Sequence, residues 1–217
     1  MSVELHQFVD REEWLAFREG LIGGSDAPAI LGRNPYKTNV ELYLEKTGQY
    51  KPEDISNKPY VKYGTEAEEH LVELFKLDYP DYAVETLPYN CWTNDKFPWA
   101  HASLDGWLTD PDGRKGVLEI KTTEILRSQQ KESWKDRIPD NYYIQVLHYL
   151  MVTEFEFAIL KAQLKYQFDS EPYLQTRHYR IERSDVEEDI KLLAAEEKKF
   201  ADCLKKKKKP GLVLPEI

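Results

Sequence analysis

Cysteine is scarce: Cys91 and Cys203 are the two in 217 residues, with neither a disulfide framework nor metal-ligand spacing. A stapled secreted fold and a thiolate metal centre are therefore not expected. Long apolar runs are missing too, so no membrane-spanning helix is expected from a chain with 41% hydrophobic residues. No basic, apolar, small-residue leader is evident, and a cytosolic location is the default expectation. The histidines at 6, 70, 101, 148 and 178 form no zinc pattern, and no nucleophile elbow occurs. Positive charge is in deficit, 30 Lys and Arg against 39 Asp and Glu, for a net charge of -9. That deficit argues weakly against a nucleic-acid partner, because phosphate neutralisation needs only a local patch and a bound ion would offset carboxylates at a metal site.

What is present concentrates at Ser103-Leu104-Asp105-Gly106 and Glu119-Ile120-Lys121. Residues 97 to 109 alternate, with Trp99, His101, Ser103, Asp105 and Trp107 on one face and Ala100, Ala102, Leu104 and Leu108 on the other, which predicts a strand. Residues 115 to 122 alternate as well, with Val117, Glu119 and Lys121 on one face. Between them Asp110-Pro111-Asp112-Gly113 predicts a hairpin turn. A hairpin centred on Asp112 sets Asp105 beside Glu119 across adjacent strands, and a one-residue slip would undo that pairing. Two aligned carboxylates repel, so a cation must share the place, and oxygen-rich, histidine-poor surroundings favour a hard ion, Mg²⁺ or Mn²⁺. Lys121 is too long and too cationic to be a ligand. It fits better as the group that orients and helps deprotonate an attacking water, or that stabilises charge on a phosphoryl group. Glu-x-Lys alone means little, since it recurs across Glu196-Glu197-Lys198-Lys199, read as a charged helix surface.

The length suits one domain over 1 to 217. Asp10 opens a short helix carrying Trp14, Phe17 and Arg18 that stops at Gly20. A glycine-rich turn over 20 to 26 enters a further helix with Ser25 or Asp26 as N-cap. Thr38 to Glu41 forms a capping box for another helix, closed by Gly48. A longer helix runs from about 59 to 77, with Val61, Gly64, Glu68, Leu71 and Phe75 on one stripe. Three or four strands fill 82 to 122, followed by a helix or ordered loop over 124 to 137. The helix from about 139 to 153 carries Tyr142, Gln145, Tyr149 and Val152 on one stripe. Strands follow near 155 to 165 and 173 to 182, then a helix opened by Ser184 with Glu187 as its capping box. This order predicts an α+β, or mixed α/β, fold: a central mixed sheet flanked by helices.

Glu68 interrupts an apolar stripe, and a carboxylate facing the core must be paired or bound to metal. Gln145, also inward, would position a water or a backbone phosphate, or else satisfy a core backbone group. The glycine turn and following helix start could seat a phosphate, with Arg18 as a bidentate clamp. It is no nucleotide fingerprint, lacking the Walker lysine and the dinucleotide spacing. The run Lys205 to Lys209 reads as a solvated helix end rather than a phosphate contact. Trp92, Trp99, Trp107 and Trp134 read as core or rim rather than as stacking platforms for bases.

Together these residues resemble a known pattern. Arg18 with Gly-Gly-Ser-Asp at 23 to 26, Asn34-Pro35-Tyr36, Gly64-x-x-x-Glu68, Ser103-Leu104-Asp105-Gly106, Glu119-Ile120-Lys121 and Gln145-x-x-x-Tyr149 stand in the order seen in YqaJ-type viral recombinase nucleases. These are relatives of the lambda phage exonuclease within the PD-(D/E)xK superfamily, and the resemblance covers about residues 11 to 165. It implies a restriction-endonuclease-like core and a Mg²⁺-dependent exonuclease acting on linear double-stranded DNA from the 5′ end. It further implies Asp105, Glu119 and the Ile120 carbonyl as metal ligands, Lys121 as the catalytic lysine, and Glu68 and Gln145 positioning the water or a second metal. Arg18, Ser25 and Ser103 would form the 5′-phosphate pocket. A single-strand annealing protein and a homotrimeric ring are the implied partners. Leu104 departs from the proline that often precedes the Asp, and residues 166 to 217 match less clearly. A RecB-like or restriction-type endonuclease and a catalytically inactive DNA-binding module are the competing readings.

Overall fold

The computed structural model describes residues 2–167 and 171–214. In chain order the elements are β1 (Val3–Gln7), α1 (Arg11–Arg18), α2 (Ala27–Ile30), α3 (Asn39–Lys46), α4 (Pro59–Asp78), β2 (Ala83–Glu85), β3 (Asn90–Asn94), β4 (Gly106–Thr109), β5 (Lys115–Ile125), α5 (Ser128–Ser133), α6 (Asp140–Thr153), β6 (Phe157–Tyr166), β7 (Tyr173–Glu182) and α7 (Glu187–Lys205). A five-stranded sheet has the order β2-β4-β5-β6-β7, and β1 with β3 forms a separate ribbon. Only the β5–β6 pair is parallel; the other neighbours run antiparallel. The sheet is thus mixed and flanked by helices, as the element order predicts.

Alternation along β5 decides what covers each face. Leu118 and Ile120 pack with Phe157 and Ile159 against Leu71, Val72 and Phe75 of α4. Val117 packs on the opposite side with Leu160, Ala162 and Leu164, beneath Val146 and Leu150 of α6. Helix α6 is buried from Ile144 to Thr153, so its amphipathic stripe is an incomplete description. It is a central helix, enclosed by the sheet, α2 and α7.

Capping chemistry sets several boundaries. Asp10 accepts from the Glu12 and Glu13 amides, and the Thr38–Glu41 capping box is complete. Gly20 and Gly48 take positive φ beyond their helices, at 80° and 70°. Other expectations need correction. Residues 97 to 105 are not a strand; they touch sheet partners only at isolated bridges, Ala100 with Ile22 and Ala102 with Trp92. Ser184 caps nothing: its hydroxyl donates to Asp185, a 3-10 turn spans Arg183–Asp185, and α7 starts without a side-chain cap. The lysine run is the exposed end of the helix, as expected: α7 stops at Lys205, Lys206 is its C-cap, and Lys207 turns the chain with φ of 51°.

Glu197 is not part of a charged surface. It is fully buried and meets His148 of α6, with Nδ1 to Oε1 at 2.6 Å, while His148 Nε2 lies 2.8 Å from the His101 carbonyl oxygen. The tryptophans are structural: Trp92, Trp107 and Trp134 are buried. Both cysteines are free thiols. Among the described residues no helix is long and apolar enough to cross a membrane.

Candidate active site

The hairpin register runs from Thr109↔Lys115 to Gly106↔Leu118, so its extension by one residue sets Asp105 opposite Glu119, as a turn centred on Asp112 requires. The ladder ends there for a local reason. The Asn90 side chain takes both backbone groups of Leu104: its Oδ1 accepts from the Leu104 amide at 2.9 Å and its Nδ2 donates to the Leu104 carbonyl at 2.8 Å. Leu104 is thereby peeled away from β5, and the Ile120 N–H donates instead to Asp105 Oδ2 at 2.7 Å. N–H and C=O of one strand residue point to the same side, so the Ile120 carbonyl also faces the edge that β4 has vacated.

A cavity of about 310 Å³ opens at this edge, lined by Asp105, Glu119, Ile120, Lys121, Glu68, Gln145 and Tyr149 among others. Helix α4 reaches it through close packing at Gly64, where an added Cβ would lie 3.1 Å from Thr122 Oγ1; Glu68 follows one turn later. Glu119 is buried, and its Oε1 accepts from Lys121 Nζ at 2.5 Å and from Gln145 Nε2 at 3.0 Å. Gln145 Nε2 also donates to the Tyr149 hydroxyl at 2.7 Å. Gln145 thus orients a carboxylate rather than satisfying a backbone group. The second carboxylate oxygen of Glu119, Oε2, is buried with no hydrogen-bond partner.

Electrostatics agree that positive charge is short. Burial, then the Asp105 charge, push the Glu119 carboxyl up to about 8 against the pull of Lys121. Glu68 rises to about 7 through burial and the Asp105 charge. Asp105 itself is raised by burial, although Lys121 and the Ile120 N–H oppose the shift. Burial disfavours charged Lys121, but Glu119 and Asp105 outweigh it and keep the ammonium protonated. Among the described residues no three His, Cys, Asp or Glu side chains converge as a ready cage. The donor set is two carboxylates and a backbone carbonyl beside open space, with an unpaired buried carboxylate oxygen. That fits a hard divalent ion completing its shell with water and substrate oxygens.

The Arg18 turn adjoins this cavity. The Arg18 guanidinium lies 3.8 Å from the Trp14 ring centroid, and its Nε donates to His101 Nε2 at 3.4 Å. Among the described residues no carboxylate pairs with it, and burial lowers its pKa. An added Cβ on Gly23 would lie 2.9 Å from His101 Nε2, and one on Gly24 would lie 2.5 Å from the Tyr149 ring. The glycines therefore let the turn lie against α6. The seat differs from the one anticipated: Asp26 Oδ2 accepts from the Gly23 N–H at 3.0 Å and pairs with Lys46 at 2.7 Å. One N–H is thus already engaged. Helix α2 has only four residues and no side-chain cap, so its dipole adds little. Ser25 is exposed beside Gly24, and Ser103 shares the Cys91 thiol as a neighbour with Arg18. Gly24→Val should cost roughly 1–3 kcal/mol by overpacking against Tyr149, measured by urea denaturation; wild-type stability would mean that the turn is free to lift.

The structure brings Asp105, Glu119, Lys121, Glu68 and Gln145 to one cavity; Arg18, Ser25 and Ser103 do not line it, and the Arg18 turn meets it through Gly24 against Tyr149. Sequence reasoning did not single out Asn90 or assign a hydrogen-bonding role to Tyr149. Tyr149 had a signal, four residues after Gln145 on one helix face; Asn90 had none, because its partner is 14 residues away on an irregular segment.

A family model described as the YqaJ-like viral recombinase domain matches residues 13–156. The uncharacterized protein YqaJ of Bacillus subtilis (strain 168) is 33% identical over 150 residues, which is 69% of this chain and 44% of that protein. The chain therefore spans under half the length of that relative. Among solved structures, the alkaline exonuclease LHK-Exo of Laribacter hongkongensis, in a complex with dAMP, superposes with a TM-score of 0.60 at 18% identity, covering 90% of this chain and 97% of its own. A phage-related exonuclease of Haemophilus somnus 129PT gives a TM-score of 0.54 at 15% identity, over 86% and 96% of the two chains. These two show a shared fold. With the matched residues taking in the Arg18 turn, the hairpin and the Gln145 helix, the chain belongs to the YqaJ-like viral recombinase domain family.

Proposed function

We propose that this chain is an exonuclease that hydrolyses phosphodiesters of linear double-stranded DNA, proceeding from the 5′ end. The observation carrying the reading is the unpaired, buried Oε2 of Glu119 in a cavity that Asp105, Glu68 and Lys121 also line. Asp105, Glu119 and the Ile120 carbonyl would hold a divalent ion, Mg²⁺ with Mn²⁺ as a substitute. Bound there, such an ion polarises the phosphoryl group and acidifies water.

The chain's own residues do the rest. Gln145 fixes Glu119 and is itself fixed by Tyr149. Lys121, at the cavity wall, orients the attacking water and offsets charge on the phosphoryl oxygens. Glu68, with its raised pKa, is suited to accept or relay a proton at neutral pH. Water adds at phosphorus as the P–O3′ bond breaks, so the product is a 5′-mononucleotide, the class to which the dAMP of the LHK-Exo complex belongs. Arg18, with no carboxylate partner among the described residues, would clamp the terminal 5′-phosphate with Ser25 and Ser103, and that clamp would give the enzyme its direction. A homotrimeric ring and a single-strand annealing partner accompany this reading; sedimentation of the purified protein tests the first.

The test uses linear and closed-circular forms of one plasmid with Mg²⁺. Linear DNA labelled at its 5′ ends should release label early and 3′ label late, with circles spared. Cutting of the circle would replace the reading with an endonuclease, and early release of 3′ label would reverse the polarity.

A further inference from the structure

Past Tyr60 and Thr122, which line both, the catalytic cavity continues into a larger cleft of about 580 Å³. Its walls include Tyr36, Ile55, Tyr60, Tyr63, Leu126 and Tyr142. Most of these side chains are left in water, Tyr36 89% exposed, Tyr60 54% and Leu126 53%, while Tyr142 is half-buried beside Trp134. A contiguous exposed apolar surface of this kind marks a binding site. No tryptophan lines the cleft, so the rings it offers a ligand are tyrosines.

The cleft's chemistry selects its occupant. Lys165 is its one cationic lining residue among those described; it lies 3.7 Å from Glu124, with Nζ 5.6 Å from the Tyr63 ring centroid. A track for a sugar-phosphate backbone would need unpaired cations. Aromatic faces with few cations suit nucleobases, which expose their own faces only when unpaired. The cleft is also anchored to the chemistry, because Lys121 Nζ lies 5.3 Å from the Tyr142 ring centroid. The Gly24 turn packs against Tyr149, whereas Tyr60 and Thr122 open the cavity toward the cleft.

We infer that the cleft lined by Tyr36, Tyr60, Tyr63 and Tyr142 stacks unpaired bases of the DNA strand being hydrolysed. The inference rests on the nuclease reading and adds a place for the bases. Each stacked base contributes binding that any sequence can supply, so the cleft confers a requirement for an opened end without base preference.

The experiment crosslinks Glu119→Gln protein to duplexes with frayed 5′ ends, carrying 5-iododeoxyuridine at successive positions. Mass spectrometry of the crosslinked peptides should place Tyr36, Tyr60 or Tyr63 against an unpaired position. Crosslinks confined to other residues, or none from a complex seen by gel shift, overturn the inference. In parallel, Tyr60→Ala should raise KM for end digestion about tenfold or more, from the loss of one stacking platform, with Tyr60→Phe close to wild type. Digestion by Tyr60→Ala and Tyr63→Ala at wild-type KM removes the cleft and leaves the nuclease reading standing. Wild-type protein that neither binds nor digests DNA removes both.

Discussion

Glu119→Gln is expected to lower DNA hydrolysis by a factor of about 10² to 10³ or more, the cost of removing a preorganised charged group from a sheltered site. The substitution preserves shape while deleting one charge from a centre built around charge. It also replaces the only described acceptor of Lys121 Nζ at hydrogen-bond distance, the carboxylate oxygen at 2.5 Å. A binding readout separates this from simple misfolding. Mg²⁺ at a hundred times its dissociation constant should stabilise the wild-type protein by about 2.7 kcal/mol, a melting shift of roughly 5–10 °C for a chain of this size. Glu119→Gln should lose most of that shift while unfolding cooperatively. An unchanged Mg²⁺ shift in the variant would place the ion elsewhere.

His148→Leu should be the largest single loss of stability, about 3–5 kcal/mol, because it leaves the Glu197 carboxylate buried without its partner. The imidazole meets a carboxylate at Nδ1 and a carbonyl at Nε2, a pair of partners that favours the charged ring, which donates from both nitrogens. Burial opposes that charge, but the Glu197 charge and hydrogen bond outweigh it and raise the pKa above the ordinary 6.5. A raised histidine pKa stabilises the fold fully below about pH 6.5, and the contribution is lost as pH rises through the folded-state value. The slope is at most about 1.4 kcal/mol per pH unit for one proton. His148→Phe with Glu197→Leu should recover most of the stability and flatten this pH dependence, as apolar replacement of a buried pair usually does. Melting curves from pH 6 to 9 compare the three proteins; parallel pH profiles would show that His148 is uncharged throughout.

Much of the fold and site was legible along the chain where the determining contacts are local. The Asp110 to Gly113 turn fixes the register by itself, and the Thr38 capping box needs only four residues. The centre of the hairpin therefore delivered the Asp105 and Glu119 pairing. Residues 97 to 105 show the opposite case. Their alternation is genuine, but their backbone groups are taken by non-strand contacts: the His101 carbonyl meets His148, and both backbone groups of Leu104 meet the Asn90 side chain. Periodicity reports burial, and burial can be supplied without a ladder. Glu197 misled for the same reason, since a carboxylate among lysines gives no sign of a histidine 49 positions away.

The two-stranded ribbon β1–β3 looks peripheral, yet the sheet interruption that creates the site depends on it. Gln7 pairs with Asn90 in the ribbon, and Trp14 Nε1 donates to the Asn90 carbonyl at 2.9 Å. These contacts hold the side chain that pulls Leu104 off β5 and turns a finished sheet edge into an open one. Trimming the first nine residues would remove no side chain that lines the cavity. It would nevertheless let the edge heal, with Leu104 returning to Ile120 and Asp105 Oδ2 losing the Ile120 N–H that now holds it. The amino-terminal ribbon therefore acts as a wedge that holds this sheet edge open, and deletions within it belong among changes to the candidate site.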